Sequence, residues 1–194
     1  AELANYYYAY TYFYQKQYIL SSHYFKLFTE VYGRREYIME ANYMYAYSLY
    51  LQSPEPSLDQ TSTYEAITAL QNFLNKYPQS EYSEKADGLI DILQVKLERK
   101  AYENARLYYK LKRYKAALVA LDNFQYDYPD SKFNEELAFL AIETSHDLAS
   151  SSIRKVQEER FRNTVALYEN FVDKYPESNF IKKAERYYAD SIEQ

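Results

Sequence analysis

The chain has 194 residues, 47% of them hydrophobic, and a formal net charge of −5, which is compatible with one or two ordinary domains or one elongated repeat array. It contains 2 Gly, 5 Pro, 27 Tyr and no Cys, which excludes disulfides and Cys nucleophiles and argues against many tight hairpins. The mixed charges show no basic stripe of the kind that binds nucleic acid, and no apolar run is long enough to span a membrane.

The chain begins with a pair of predicted helices, which we assign to a first repeat over residues 1–33. The stretch YAYTYFYQKQYILSSHYFKLF places small and aromatic residues at helical spacing on both sides of a short polar turn. It continues into LFTEVYGRREY, a degenerate copy of a motif that recurs three more times. Gly33 occupies the position that Pro has in the later copies.

The complete copies of this motif read NFLNKYPQSEY, NFQYDYPDSKF and NFVDKYPESNF. Proline is excluded from a helix interior, so each copy predicts the end of one helix. The Ser after each Pro is placed to cap the next helix. The motifs therefore predict further repeats over residues 37–78, 82–129 and 133–176, followed by a capping helix over 180–193.

Apolar residues recur at fixed distances before the Phe of each motif. Seven positions before it the residue is small, and three positions before it the residue is large. In chain order the two sets are Ser21, Ala66, Ala117 and Thr164, and then Phe25, Leu70, Leu121 and Tyr168. This spacing predicts one buried helical face in every repeat.

Three stretches depart from a regular period. QSPEPSLDQ at 52–60 predicts a longer turn in the second repeat, and ASSSIRKVQEE at 149–159 predicts much the same in the fourth. Between Tyr82 and Leu111 there is no Pro and a single Gly, which predicts one long helix or two nearly continuous ones.

Altogether the sequence predicts an all-α, tetratricopeptide-like solenoid of about four repeats plus a capping helix.

The search for catalytic or metal-binding residues is mostly negative. His23 and His146 lie in different repeats and have no further ligands at helical spacing. No Gly-rich phosphate loop is present, and the carboxylates are interspersed with Lys and Arg, as on solvated helix faces. We therefore predict a protein that is not an enzyme and has no cofactor and no metal.

A binding surface is the positive candidate, because the first helices of such repeats commonly line a concave face that binds partners. Aromatic side chains and Arg are enriched on recognition surfaces. The predicted partner-binding residues are Tyr6, Tyr10, Phe13, Tyr43, Tyr47, Tyr50, Tyr102, Arg106, Tyr109, Lys112 and Arg113. The competing interpretation is that most of these rings pack between repeats.

Four stretches carry a family resemblance that goes beyond a generic repeat. They are EANYMYAYSLYLQSPEPSLDQTSTYEAITALQNFLNKYP, KLERKAYENARLYYKLKRYKAALVALDNFQYDYPDS, SSIRKVQEERFRNTVALYENFVDKYPES and HYFKLFTEVY. Together with the order of the irregular repeats, they resemble BamD-type lipoproteins of the bacterial outer-membrane β-barrel assembly machine. The abundance of Tyr and the stretch SPEPSLDQT resemble the Bacteroidetes branch of that family.

The resemblance implies a non-catalytic scaffold or adaptor at the periplasmic face of the outer membrane. It implies docking on the POTRA domains of the barrel-inserting protein, contacts with other assembly lipoproteins, and presentation of unfolded outer-membrane protein substrates. It also implies a lipidated N-terminal Cys and a preceding repeat, both of which we expect to be missing from this chain. We predict that docking involves the third and fourth repeats, including Arg106, Tyr109, Lys112 and Arg113.

Three alternatives stay open at this point. One is a periplasmic repeat protein that coordinates the cell envelope or cell division. The second is a cytosolic peptide-binding co-chaperone module, which is a common use of such repeats. The third is a hydrolase whose paired carboxylates the sequence pattern does not single out.

Overall fold

The computed structural model describes residues 2–33 and 36–194, and this part of the chain is helical, without strands. The helices are α1 (Glu2–Tyr14), α2 (Tyr18–Val31), α3 (Ile38–Tyr50), α4 (Thr61–Lys76), α5 (Ser83–Lys110), α6 (Tyr114–Asp127), α7 (Asn134–Ser150), α8 (Arg154–Lys174) and α9 (Ile181–Glu193). The predicted all-α, tetratricopeptide-like fold is confirmed. Of the sequence predictions, Ala1 of the first repeat and Arg34 and Arg35 of the degenerate motif lie outside the described residues.

The helices form two compact units, residues 1–97 and 98–194. In the first unit α1 packs against α2, α2 against α3, and α3 against α4. In the second unit α6 packs against α7, α7 against α8, and α9 against both α7 and α8. The sequence allowed one long helix or two between Tyr82 and Leu111, and the structure has the single helix α5. No helix in the described ranges is both long and apolar enough to cross a membrane.

The face that the motif spacing predicts is buried. The four motif Phe side chains, at positions 28, 73, 124 and 171, are at most 3% exposed, and the four small residues seven positions earlier are fully buried. Three of the four large residues between them are buried as well, whereas Tyr168 is half-buried. Its ring stacks on that of Tyr188 in α9, with 4.5 Å between the centroids. The capping helix thus covers a side chain that would otherwise face water.

The three Pro-containing motifs are helix ends, as predicted. Helices α4, α6 and α8 end two residues before Pro78, Pro129 and Pro176. In each case the Tyr that precedes the Pro donates its backbone N–H to the motif Phe carbonyl, at 2.8–2.9 Å. This bond closes the last turn before the Pro ring stops the helix.

The prediction that the motif Ser caps the next helix is wrong in detail. Helices α7 and α9 begin three residues after Ser131 and Ser178, and neither has a side-chain cap. Instead, each Ser Oγ accepts the backbone N–H two residues later, at 3.1 Å, and so closes the turn before the helix. The hydroxyl protons go to carboxylates on the preceding first helix, Glu98 at 2.5 Å and Glu135 at 2.6 Å.

The aromatic residue that ends each motif packs against a ring in the preceding first helix. Three pairs are stacked, with centroid distances of 4.5 Å for Tyr43–Tyr82, 4.2 Å for Tyr102–Phe133 and 4.8 Å for Phe139–Phe180. The pair after the degenerate motif, Tyr6–Tyr37, is tilted by 33° at 4.7 Å. The same contact therefore occurs after all four motif copies. It gives a physical reason for the last residue of the motif, because offset aromatic pairs add to the energy of simple burial.

The second irregular stretch differs from its prediction. We expected residues 149–159 to lengthen a turn, but α7 runs to Ser150 and α8 starts at Arg154. Most of these residues therefore lie in helices, and only Ser151, Ser152 and Ile153 lie between α7 and α8. Phe161, on the extended part of α8, is 5% exposed and lies 5.7 Å from the His146 ring. The first irregular stretch, at 52–60, does form a longer connection between α3 and α4.

We predict that Phe133→Ala destabilises the second unit by about 2–3 kcal/mol, because it removes a half-buried ring and its stack on Tyr102. Tyr126→Ala is the matched control, since the Tyr126 ring is 88% exposed, and its unfolding free energy should change by less than about 0.5 kcal/mol. Urea unfolding followed by circular dichroism measures both variants. Equal effects would show that the stack is not a main contributor.

Candidate protein-binding surfaces

The first residue of each predicted binding row is buried in the core. Tyr6, Tyr43 and Tyr102 are 4%, 7% and 4% exposed, and each forms one of the aromatic pairs described above. These rings pack between helices, which is what the competing interpretation proposed for them. The remaining residues of the predicted set are half-buried or exposed, so any surface available to a partner belongs to them.

In the first unit, three Tyr rings of α3 form a nearly parallel stack. The Tyr47 ring lies 5.8 Å from that of Tyr43 and 5.9 Å from that of Tyr50, with interplanar angles of 7° and 10°. From α1, the Phe13 ring reaches Tyr47 at 5.9 Å. Positions four and three residues apart place these rings on one side of the helix. The result is a row of half-buried rings with an apolar body and polar edges.

Tyr10 ties α1 to α3 through a carboxylate that the sequence analysis did not single out. Its hydroxyl donates to Glu40 Oε1 at 2.5 Å, and its ring meets Phe25 edge-on at 5.0 Å. Burial, reinforced by this bond to Glu40, raises the pKa of Tyr10 well above its usual range. The phenol therefore stays protonated and acts as a donor. The sequence did contain a signal for this carboxylate, because Glu40 and Glu136 occupy the same position relative to the Phe of their motif copies.

The second unit repeats this arrangement with an added cation. The Tyr102 hydroxyl donates to both carboxylate oxygens of Glu136, at 3.0 Å each. Arg106 Nη1 donates to that same hydroxyl at 2.6 Å and lies 3.8 Å from Glu136 Oε1. Its guanidinium carbon also lies 5.2 Å from the centre of the Tyr102 ring. Arg106 is thus held in place by its neighbours while its side chain remains 42% exposed.

Further along the same unit, tyrosine hydroxyls donate to the carboxylates of α7. Tyr109 donates to Asp147 Oδ2 at 3.2 Å, and Tyr187 of α9 donates to Glu143 Oε1 at 2.7 Å. Burial raises the pKa of Tyr109, and the negative charges of Glu143 and Asp147 add to the shift. Burial and the bond to Glu143 do the same for Tyr187. These phenols are therefore neutral donors at physiological pH.

Each His lies beside an aromatic ring. His146 Nε2 lies 2.5 Å from Asp190 Oδ2, and its ring packs 5.0 Å from that of Tyr187. His23 is exposed and lies beside Tyr24. Across residues 2–33 and 36–194 there is no group of three or more His, Cys, Asp or Glu residues that could hold a metal ion.

The turn between α5 and α6 presents Lys112 and Arg113 to solvent. Lys112 has φ 56°, in the left-handed region that favours glycine. Its backbone N–H donates to Tyr109 O at 2.8 Å, and that of Arg113 donates to Tyr108 O at 2.9 Å. Lys16, in the turn between α1 and α2, has the same conformation, with φ 59°. The backbone hydrogen bonds of Lys112 and Arg113 hold the α5–α6 turn in one shape. The side chains of these two cations therefore project from a defined backbone.

Comparison with known families supplies an independent finding. The YfiO family, described as an outer membrane lipoprotein, matches residues 1–152 and, in a second match, residues 98–191. The resemblance to BamD-type proteins that the sequence suggested is confirmed at the level of the family. No curated protein matches this chain.

The buried phenols predict a loss of stability in alkali. Burial raises the pKa values of Tyr6, Tyr10, Tyr109 and Tyr187 in the folded state, so the unfolded chain ionises first, at about pH 10. The stabilisation is complete below that pH, and the free energy of unfolding should fall as the pH rises beyond it. Urea titrations at successive pH values measure this. Tyr10→Phe should flatten the decline and Tyr126→Phe should not; a profile that stays flat for the unmodified chain would contradict the assignment.

The left-handed turn predicts that Lys112→Gly is neutral or stabilising. A non-glycine residue in this conformation costs about 1–2 kcal/mol, which exceeds the roughly 0.5–1 kcal/mol of additional chain entropy that glycine loses on folding. The expected net gain is about 0.5–1 kcal/mol in urea unfolding. The control is Ala166→Gly at an exposed site inside α8, which should lose about 1 kcal/mol. A similar loss at Lys112 would mean that the turn is not strained.

Proposed function

Because the chain belongs to the YfiO family of outer membrane lipoproteins, we propose that it is a non-catalytic scaffold of the machinery that assembles β-barrel proteins in the outer membrane. In this role it works at the periplasmic face of that membrane. It presents binding surfaces to other proteins and carries out no chemical step. The family match over nearly the whole chain is the observation that carries the proposal. A lipid anchor upstream and a Bacteroidetes-like origin stay predictions from the sequence.

The docking surface for the POTRA domains of the barrel-inserting protein lies on the second unit in this proposal. Arg106, Tyr109, Lys112 and Arg113 form it. The support is geometric, since Arg106 is oriented by Tyr102 and Glu136 and the turn that carries the other two cations is hydrogen-bonded. Side chains that are ordered before binding lose less entropy on association. Arg and Tyr are also the residue types that most often dominate interface energies.

The first unit receives unfolded outer-membrane protein substrates in this proposal. Its row of half-buried rings, Phe13, Tyr47 and Tyr50 beside Tyr10, carries no Lys or Arg. Such rings can bind side chains of many kinds, because stacking and apolar contact require no particular sequence. The two units would then perform different tasks, with charge used for docking and aromatic surface used for substrate.

Calorimetric titration with the soluble POTRA region from the same organism tests the docking proposal. We expect saturable binding at low salt, and a loss of about tenfold or more in affinity when Arg106, Lys112 and Arg113 are all replaced by Ala. The matched control is Lys182→Ala with Lys183→Ala, two exposed cations of α9, which should leave the affinity unchanged.

Two results would count against the proposed function. One is the absence of binding by the unmodified chain. The other is an equal loss of affinity in the α9 control, which would indicate a non-specific effect of net charge.

For the substrate surface, Tyr47→Ala with Tyr50→Ala should reduce capture of an unfolded outer-membrane protein while leaving POTRA binding intact.

A further inference from the structure

A groove on the first unit lies between the second helices of its two repeats, α2 and α4, and α3 forms its floor. The groove has a volume of about 810 Å³, which falls in the range of small-ligand sites. Asn42 and Tyr45 of α3 are half-buried at the floor, whereas Tyr64 and Asn72 of α4 are exposed along one wall. These residues are not those of the ring row that the proposed function assigns to substrate, so the groove is a separate surface.

The second unit provides an internal comparison, because it has an equivalent groove between α6 and α8. That groove is smaller, with a volume of about 310 Å³. Counted from the Phe of each motif copy, Ala69 corresponds to Leu167, and Tyr45 corresponds to Ala141. Leu167 lines the second groove and packs against the core on both sides of it. The larger and more polar groove is therefore particular to the first unit and does not follow from the repeat itself.

Several polar groups of the first groove have no hydrogen-bond partner within the part of the chain that the structure describes. They are the side-chain amide of Asn72 and the hydroxyls of Tyr45 and Tyr64. Asn42 donates from Nδ2 to Ile38 O at 2.6 Å, while its Oδ1 accepts no hydrogen bond from those residues. Amide and hydroxyl groups both donate and accept. The groove thus offers unused donors and acceptors to a ligand.

The charged side chains of the groove balance one another. Lys26 and Glu30 line it from α2, and Glu65 and Lys76 line it from α4. None of the four forms an ion pair with another described residue. A groove without net charge does not suit a polyanion, which requires an excess of Lys and Arg. The ligand that fits is polar and has little or no net charge.

We propose that this groove binds a glycan, namely a chain of N-acetylated sugars of the bacterial cell wall. Sugar hydroxyls donate and accept, as the Asn, Thr and Tyr side chains of the groove do. The acetamido group carries one N–H and one C=O, which the carboxamides of Asn42 and Asn72 can match. A tyrosine ring presents an apolar face to the C–H groups of a sugar and a hydroxyl to its oxygens, and the Tyr64 side chain is 59% exposed.

The site goes beyond the proposed function, which assigns no ligand to this face. The chemistry of the groove is independent of that function. The source of the glycan rests on it, since a scaffold at the periplasmic face of the outer membrane lies beside the cell wall. Glycan binding would then hold the scaffold between the membrane and the wall.

An extended peptide is the alternative occupant, and the lining of the groove favours the sugar. Helical-groove recognition of peptides depends on apolar surface, and strand addition depends on the exposed edge of a sheet. The described residues contain no strand. The apolar residues that line the groove are Ala69 and Phe73, which are 8% and 3% exposed. Little apolar surface is therefore available to peptide side chains.

Calorimetric titration with chitohexaose, a soluble chain of N-acetylglucosamine units, tests this inference. We expect saturable binding by the unmodified chain. Tyr64→Ala with Asn72→Ala should weaken it about tenfold, because the pair removes a ring face and an amide that contact the sugar. Ala69→Leu should weaken it at least as much, since it places in the groove the side chain that Leu167 places in the equivalent groove. The matched control is Arg162→Ala with Asn170→Ala, the equivalent positions of α8, which should leave the affinity unchanged.

Four results would overturn the inference. Two are the absence of binding by the unmodified chain and an equal loss of affinity in the α8 control. The third is binding of a soluble peptide of alternating Glu, Ser and Lys in place of chitohexaose, which would assign the groove to peptide. The fourth is failure of the chain to sediment with purified cell-wall sacculi. Circular dichroism confirms that each variant is folded.

The experiment also separates this inference from the proposed function. The substituted positions at 64, 69 and 72 lie outside the surface proposed for POTRA docking, so these variants should bind the POTRA region as the unmodified chain does. Chitohexaose binding without POTRA binding would overturn the proposed function and support the glycan site. POTRA binding without chitohexaose binding would overturn the glycan site alone.

Discussion

The aromatic contact between the last residue of each motif and a ring of the preceding first helix is the interaction on which the architecture depends. It occurs four times, at centroid distances of 4.2–4.8 Å, as a tilted pair after the first motif and as a stacked pair after the other three. Each contact connects the start of one first helix to the body of the first helix before it. The Pro ends a helix and the aromatic ring positions the next one. Together the two constraints position each first helix against the one before it.

This contact also decides which aromatic side chains are available for binding. Three of the predicted binding residues, Tyr6, Tyr43 and Tyr102, are the inner partners of these aromatic contacts and are buried. The residues one turn and two turns further along the same helices are half-buried. Tyrosine suits both environments, since its ring packs while its hydroxyl finds a polar partner. The high Tyr content therefore serves packing first, and only the outer part of each row remains for recognition.

Carboxylates of both units accept hydrogen bonds from tyrosine hydroxyls. In the first, Glu40 accepts from Tyr10. In the second, Glu136, Glu143 and Asp147 accept from tyrosine hydroxyls that burial keeps protonated. These acids are hydrogen-bonded within the unit, whereas Lys112 and Arg113 are exposed and form no ion pair with a carboxylate of the described residues. In the proposed function, these cations belong to the docking surface of the second unit.

Local pattern was sufficient for the helix ends at the Pro-containing motifs and for the buried face, because both depend on neighbours within one or two helical turns. The family resemblance came from the order of the irregular repeats along the chain. The tertiary structure alone decided which rings are buried, since burial of Tyr102 requires Phe133 of the next helix pair. It also decided that Glu136 and Asp147 meet Tyr102 and Tyr109.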